Sequence, residues 1–518
     1  MGNYKNEKEA FVSGMTGSSI THINLVSLAA LASIFLYAAL RTRLPKTRQF
    51  DFLMSWALLV LPLLLSMTLF AGRPILLSFL LMAPALALLS APKREGPSPL
   101  PSKQPPTPTG IPRVKLPPLP ALTTYRAHMM LMTLLAILAV DFPVFPRYLA
   151  KCETFGVSLM DLGVGSFVFS QGVVSAIPLI RDENYLTAPF LPKVGRVTRK
   201  CIPIIIIGLV RVLLVKGTEY PEHVTEYGVH WNFFLTLAFL PILQVLLHPV
   251  IIHLPISLLG ILVGVAQQVA LSRYGLKDYV LHAPRTSLIS ANKEGLVSLP
   301  GYLAVHLLGL SAGTLILPPT PSFFRRRQQA LTAKGKSTQY NKDLDPQLPR
   351  QLGKTATELC SYAILWWTLL GVARLLEVDG KWGASGGVSR RIVNLPYILW
   401  VAAYNISFTL AYILILDMFF FPGPRPRKGS KPPPPGFPNH EQEYHSGLEG
   451  NPPELFEAIN KHGLAVFLIA NVLTGLVNLS IGTMYASDSF AMVILSAYAF
   501  AVCVIAWVWN RIEKSRKN

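Results

Sequence analysis

Residues 139–153, AVDFPVFPRYLAKCE, set a carboxylate, Asp141, ten positions before a primary amine, Lys151. Pro143 and Pro146 lie between them. They break the helix leading in, because proline lacks the amide donor and its ring crowds the preceding turn. The bent chain can fold Lys151 back toward Asp141. An acid within reach of a lysine at the edge of an apolar run is by default a candidate site for moving a proton. The same residue types read equally as an interfacial ion pair or as groups solvated at a membrane edge.

A second block, HVTEYGVHWNFF, holds His223, Glu226, His230 and Asn232, groups able to donate, accept or contact a substrate. The two histidines are seven apart, which would set them on one helical face. A metal site would need more ligands at suitable spacing, whereas Tyr227 and Trp231 also suit an interfacial belt. Arg147, Arg390 and Arg391 could hold a phosphate or anchor the chain at the membrane. Asp161 opens a run containing Gly163, Gly165, Ser166, Ser170 and Gly172, a small-residue face suited to close helix approach. Asn471, Thr474 and Asn478 share one face and could line a polar cavity or bond between helices.

The elements that position these groups belong to a membrane domain. Of 518 residues 51% are apolar and 14% charged, with a mean hydropathy of +0.42. Because a span takes roughly 20 apolar residues, this composition excludes a single soluble enzyme domain. Apolar runs predict spans near 23–40, 51–70, 74–91, 127–142, 157–180, 201–215, 231–248, 254–272, 300–318, 357–373, 394–420, 463–482 and 485–509. The expected fold is therefore an all-α polytopic membrane protein of about 13 transmembrane helices. Residues 1–22 form an N-terminal tail without the pattern of a cleavable signal peptide, and residues 23–518 a single transmembrane domain.

Three connectors, near 93–120, 319–354 and 422–453, are Pro-rich or basic and are expected to be extended and solvated. Cytoplasmic loops retain Lys and Arg. With the N-terminus luminal and the C-terminus cytosolic, roughly 32 basic residues fall in the cytosol against about 14 opposite. That placement makes all three connectors cytosolic and accounts for most of the net charge of +20, so no nucleic-acid partner is implied. Four cysteines, Cys152, Cys201, Cys360 and Cys503, are too scattered for a disulfide framework.

Gly309-Leu-Ser311-Ala-Gly313 and Gly383-Ala-Ser385-Gly-Gly387 match the nucleophile-elbow pattern but lack its strand-to-helix context. A lipid transporter would use Asp141 and Lys151 as a pair broken in alternating access, yet only the fourth span shows a clear break. A non-catalytic scaffold would tolerate Asp141→Asn.

Longer blocks carry a more specific signal. LLAILAVDFPVFPRYLAKCETFGVSLMDLGVGSFVFSQGVVS, EHVTEYGVHWNFF, SRRIVNLPYILWVAAYN, the N-terminal EAFVSGMTGSSITHIN, SANKEG and ANVLTGLVNLSI stand in order along nearly the whole chain. Together they closely resemble the GPI-anchored wall transfer protein family, and the long connectors are in the style of a fungal member. The resemblance implies an enzyme of the endoplasmic-reticulum membrane, an O-acyltransferase of GPI-anchor biosynthesis. It would move a fatty acyl group, typically palmitoyl, from acyl-CoA to the inositol 2-hydroxyl of glucosaminyl-phosphatidylinositol. It needs no cofactor beyond acyl-CoA as co-substrate, and its protein partners are unknown. The family's proposed catalytic acid and lysine fall on Asp141 and Lys151. Asp141 would act as base, and Lys151 would orient it or stabilise the oxyanion. His223, His230 and Asn232 are second candidates as base or donor.

Overall fold

In the computed structural model, each of the apolar runs lies on a helix. The model describes residues 7, 10–11, 13–43, 51–92, 116, 118–216, 224–332, 345–346, 348–383, 386–422 and 451–517. His223 and most of the first and third connectors lie outside these residues. Among the described residues nine helices are long and apolar enough to cross a bilayer. They are α1 (Ile20–Arg43), α2 (Pro120–Ala139), α3 (Leu159–Arg181), α4 (Ile256–Arg273), α5 (Lys293–Ile316), α6 (Leu352–Leu375), α7 (Leu395–Phe420), α8 (Gly463–Ser480) and α9 (Asp488–Arg516). Phe52–Met67, Pro74–Leu89 and Phe233–Leu246 are shorter apolar helices, and Phe190–Lys216 is a further one rich in isoleucine and valine. The chain is an all-α multi-pass membrane protein.

The chain divides into two compact units. One comprises residues 1–24, 136–408 and 478–491, the other residues 25–135, 409–477 and 492–518. In the first, α3 and α5 pack backbone to backbone. A methyl group on Gly172 would lie 2.1 Å from His306 O, one on Gly309 2.1 Å from Phe169 O, and one on Gly313 2.3 Å from Val173 O. Gly309 and Gly313 are thus a small-xxx-small seam, the usual device of membrane helix association. The small face expected on the fifth run meets its partner here. Polar side chains close helix ends in the same unit. Ser158 caps α3, accepting from Asp161 N at 3.1 Å, and Asn232 caps Phe233–Leu246 through Phe234 N and Leu235 N.

The second connector departs from its expected extended form. Phe323–Thr332 is a helix with Phe323, Phe324 and Arg327 buried. Two aromatics at its start give it an apolar edge, and Arg327 Nη1 donates to Leu179 O and Ile180 O at 2.7 and 3.0 Å. Those bonds satisfy carbonyls that the end of α3 leaves open. In the second unit, His128 of α2 bonds Tyr412 OH at 2.7 Å and stands edge-on to Phe456. Phe456 sits on the helix Glu454–Lys461, which buries Leu455, Phe456, Ala458 and Ile459.

Candidate functional site

Beyond α2 the chain turns sharply, as its prolines require. Asp141 N still bonds Leu138 O at 3.1 Å, and a single 3₁₀ turn, Arg147–Leu149, follows. Arg147 builds this turn from within. Its guanidinium donates to Val140 O (2.9 Å), Phe142 O (3.0 Å) and Phe145 O (2.7 Å). Burial brings Arg147 down to about 10, with the Asp141 carboxylate opposing that shift. Asp141 is 2% exposed, beside buried Phe142, Val144 and Phe145. Its Oδ2 accepts from Asn478 Nδ2 at 2.8 Å, and Asn478 Oδ1 accepts from Thr483 Oγ1 at 3.2 Å. Of the three polar residues read on one face of the eighth long helix, Asn478 reaches the acid. Asn471 bonds its own backbone, and Thr474 meets Tyr498 in the second unit.

Lys151 pairs with Glu226, Nζ to Oε2 at 2.9 Å, in a partly exposed setting. Each partner is fixed from behind. Next to Lys151, Cys152 N donates to Asp161 Oδ2 at 2.9 Å. That carboxylate also accepts from Ser158 Oγ at 2.7 Å and from Arg390 Nε at 2.5 Å. Burial and then the Asp161 carboxylate push the Cys152 thiol well up. Arg390 lies 4% exposed, 6.0 Å from the centroid of the Tyr227 ring, and Tyr397 OH donates to Asp161 O at 2.7 Å. Burial alone would lower Arg390, but Asp161 and Glu226 hold it well above its ordinary value.

The Glu226 loop is anchored by Asn292, whose Oδ1 accepts from His230 N at 2.8 Å and Trp231 N at 2.9 Å. Gly228, at φ +120°, gives the clearance: a methyl there would stand 2.6 Å from Asn292 Cα. Arg391 donates to Glu294 Oε1 at 3.0 Å, and Arg285 grips the same fully buried carboxylate at 2.5 and 2.9 Å. Asn232 is engaged with Gly208 O at 2.8 Å besides its cap. Among residues read as site candidates, Asp141, Arg147, Lys151, Glu226, His230, Asn232, Arg390 and Arg391 all lie in the first unit. Asp141 and Lys151 share one loop, and Glu226 and Arg390 meet Lys151 and Asp161. Arg391 and Asn232 bond the framework behind.

Sequence reasoning missed Asn478, Asn292 and Glu294 as parts of this assembly, and it read Asp161 as a packing residue. Asp161 carried one usable signal, the Ser158-x-x-Asp161 capping spacing. The bonds that tie the others to the candidate residues span 62 to 337 positions of the chain, beyond any spacing rule. A cleft of about 470 Å³ lined by Arg326, Lys354, Thr357 and Glu358 touches none of them.

A buried acid and a lysine–carboxylate pair, both on connections of a multi-pass helical scaffold, are groups suited to group transfer within a membrane protein. The chain matches the GWT1 family over residues 4–509 and belongs to it. It is 38% identical over 522 residues to GPI-anchored wall transfer protein 1 of Aspergillus fumigatus, with 97% of each chain covered. It is 40% identical to the Aspergillus oryzae protein of that name, covering 98% of both. The Cryptococcus neoformans var. grubii protein is 35% identical, with 98% of this chain and 99% of its own covered. The family is that of the GPI inositol acyltransferases, and this chain is an O-acyltransferase of GPI-anchor biosynthesis.

Proposed function

We propose that the reaction moves a palmitoyl-type acyl group from acyl-CoA to the inositol 2-hydroxyl of glucosaminyl-phosphatidylinositol, at Asp141 and Lys151. The observation that carries this reading is the Asp141 carboxylate, buried among apolar side chains and aimed by Asn478. Asp141 takes the hydroxyl proton as the oxygen attacks the thioester carbonyl. The Lys151 ammonium, oriented by Glu226, donates to the oxyanion. Collapse of that intermediate breaks the carbon–sulfur bond, and the CoA thiolate leaves with the proton that Asp141 took up. Arg391 and Arg285 share the single Glu294 carboxylate and leave a positive charge that attracts the acceptor's phosphate, whereas Arg390, neutralised by Asp161, holds the framework behind Lys151.

This reading extends to topology. Thirteen crossings result if the nine long helices are joined by Phe190–Lys216 and the three shorter apolar ones. The basic connectors then face the cytosol, and the N-terminus lies in the lumen of the endoplasmic reticulum. The test is transfer of labelled palmitoyl from CoA to glucosaminyl-phosphatidylinositol by purified protein, wild type beside Asp141→Asn. Loss of a general base predicts a fall of about 10²–10⁴-fold in kcat. Undiminished transfer by the variant would remove Asp141 from the chemistry.

A further inference from the structure

We propose that Phe11 and residues 13–18, just ahead of α1, are a positioning strap of the catalytic site that ties the Asp141 turn to the Lys151 loop. The proposal rests on the acyl-transfer reading above and adds to it a segment that touches both members of the pair's framework.

On one side, the Phe11 ring lies 4.2 Å from the guanidinium carbon of Arg147. That guanidinium is the group that gathers the carbonyls of Val140, Phe142 and Phe145 around Asp141. An aromatic face over a partly desolvated cation holds it in place. On the other side, Ser18 pairs with Val157 as an antiparallel bridge, Ser18 N to Val157 O at 2.7 Å. Gly14 N donates to Glu153 Oε1 at 2.8 Å, and Glu153 N reaches Met15 O at 3.4 Å.

Glycine is required where the two strips meet. Gly17 (φ +80°) and Gly156 (φ +140°) both hold backbone conformations that L side chains rarely adopt. A methyl on Gly17 would stand 2.5 Å from Val157 O, and one on Gly156 2.3 Å from Thr16 O. Either methyl would also come within 2.7 Å of Cys152 Sγ, the neighbour of Lys151. Strap and loop are therefore in backbone contact at Glu153, Gly156 and Val157, and they close on the side chain of Cys152, the residue next to Lys151. A strap that only stabilised the fold would need no such approach to both halves of the pair.

The experiment is steady-state acyl transfer by the full chain in lipid nanodiscs, with thermal unfolding measured on the same preparations. The variants are Phe11→Leu, Phe11→Tyr and Gly17→Ala. The proposal expects Phe11→Leu to lose at least about tenfold in kcat, since misplacing a catalytic group by an ångström costs that and more. KM for both substrates and the unfolding midpoint should stay at wild-type values, and Phe11→Tyr, which restores the aromatic face, should recover kcat. Gly17→Ala should lose kcat more severely, and if it does not fold the Phe11 pair decides alone. Wild-type kcat in Phe11→Leu overturns the strap and leaves the acyl-transfer reading intact. So does a loss that follows the midpoint and is not recovered by tyrosine. A wild-type protein that transfers nothing overturns the underlying reading, and the strap with it.

Discussion

Lys151 and Glu226 form an ion pair across 75 positions of sequence, Nζ to Oε2 at 2.9 Å, at the meeting of two loops in the first unit. In the reaction proposed above, this carboxylate orients the ammonium rather than reacting itself. Glu226→Gln keeps the side-chain shape and a weaker bond but loses the charge. Its kcat is expected to fall about tenfold with KM retained, since one charge-assisted bond exceeds a neutral one by roughly 1–1.5 kcal/mol. A variant with unchanged kcat would show that Lys151 needs no partner.

Asn478 aims Asp141. Asn478→Leu removes a bond to a buried carboxylate, a loss of about 1.5–3 kcal/mol, so kcat is expected to drop by one to two orders of magnitude. Wild-type kcat in this variant would separate Asn478 from the acid's function.

Asp161 and Arg390 are a buried pair, 1% and 3% exposed at their side chains. Asp161→Ala strands the Arg390 guanidinium and should cost about 3–5 kcal/mol, read as a lowered unfolding midpoint. Asp161→Leu combined with Arg390→Met should recover much of that loss in stability. Activity should not return, because the Cys152 amide next to Lys151 loses its acceptor.

Cys152 is buried, whereas Cys360 is exposed. At pH 7.5 a maleimide should spare Cys152 in the folded protein and label it on unfolding. With its folded pKa above the unfolded value of about 8.5, the Cys152 thiol stabilises the fold fully below that pH, and its contribution fades as pH rises through it. Cys152→Ala should flatten the alkaline decline of the unfolding midpoint. An identical slope in the variant would refute the assignment.

Gly309→Ala tests the helix seam. The added methyl meets the backbone carbonyl of Phe169 at 2.1 Å and has no flexible side chain to displace. Overpacking of this kind costs about 1–3 kcal/mol. Gly371→Ala, on a helix face with open space, should leave the midpoint unchanged or raise it slightly.

The helices were legible because hydropathy sets where a chain can cross a bilayer, and Pro143 and Pro146 announced the break that follows Asp141. Asp141, Lys151 and Glu226 could be named from residue type and local density. What joins them could not. Asn478 reaches Asp141 from 337 residues away, and Arg390 reaches Asp161 from 229. Such pairings are decided by packing, which a single sequence does not encode as spacing. The basic second connector misled for a related reason. RRRQQ reads as solvated charge until Phe323 and Phe324 are given a surface and Arg327 a set of carbonyls to close. Gly309-Leu-Ser311-Ala-Gly313 drew notice only as a nucleophile-elbow match out of context, and it is the facing helix that shows its glycines, not its serine, to carry the meaning.

With Gly172, Gly309 and Gly313 seated on opposing carbonyls, α3 and α5 are keyed to one register. Sliding α5 by a turn in either direction would bring Val305 or Leu317 to a place that admits no side chain. Shear between these helices is thereby forbidden. Any rearrangement in this unit therefore carries α3 and α5 together, as one rigid pair.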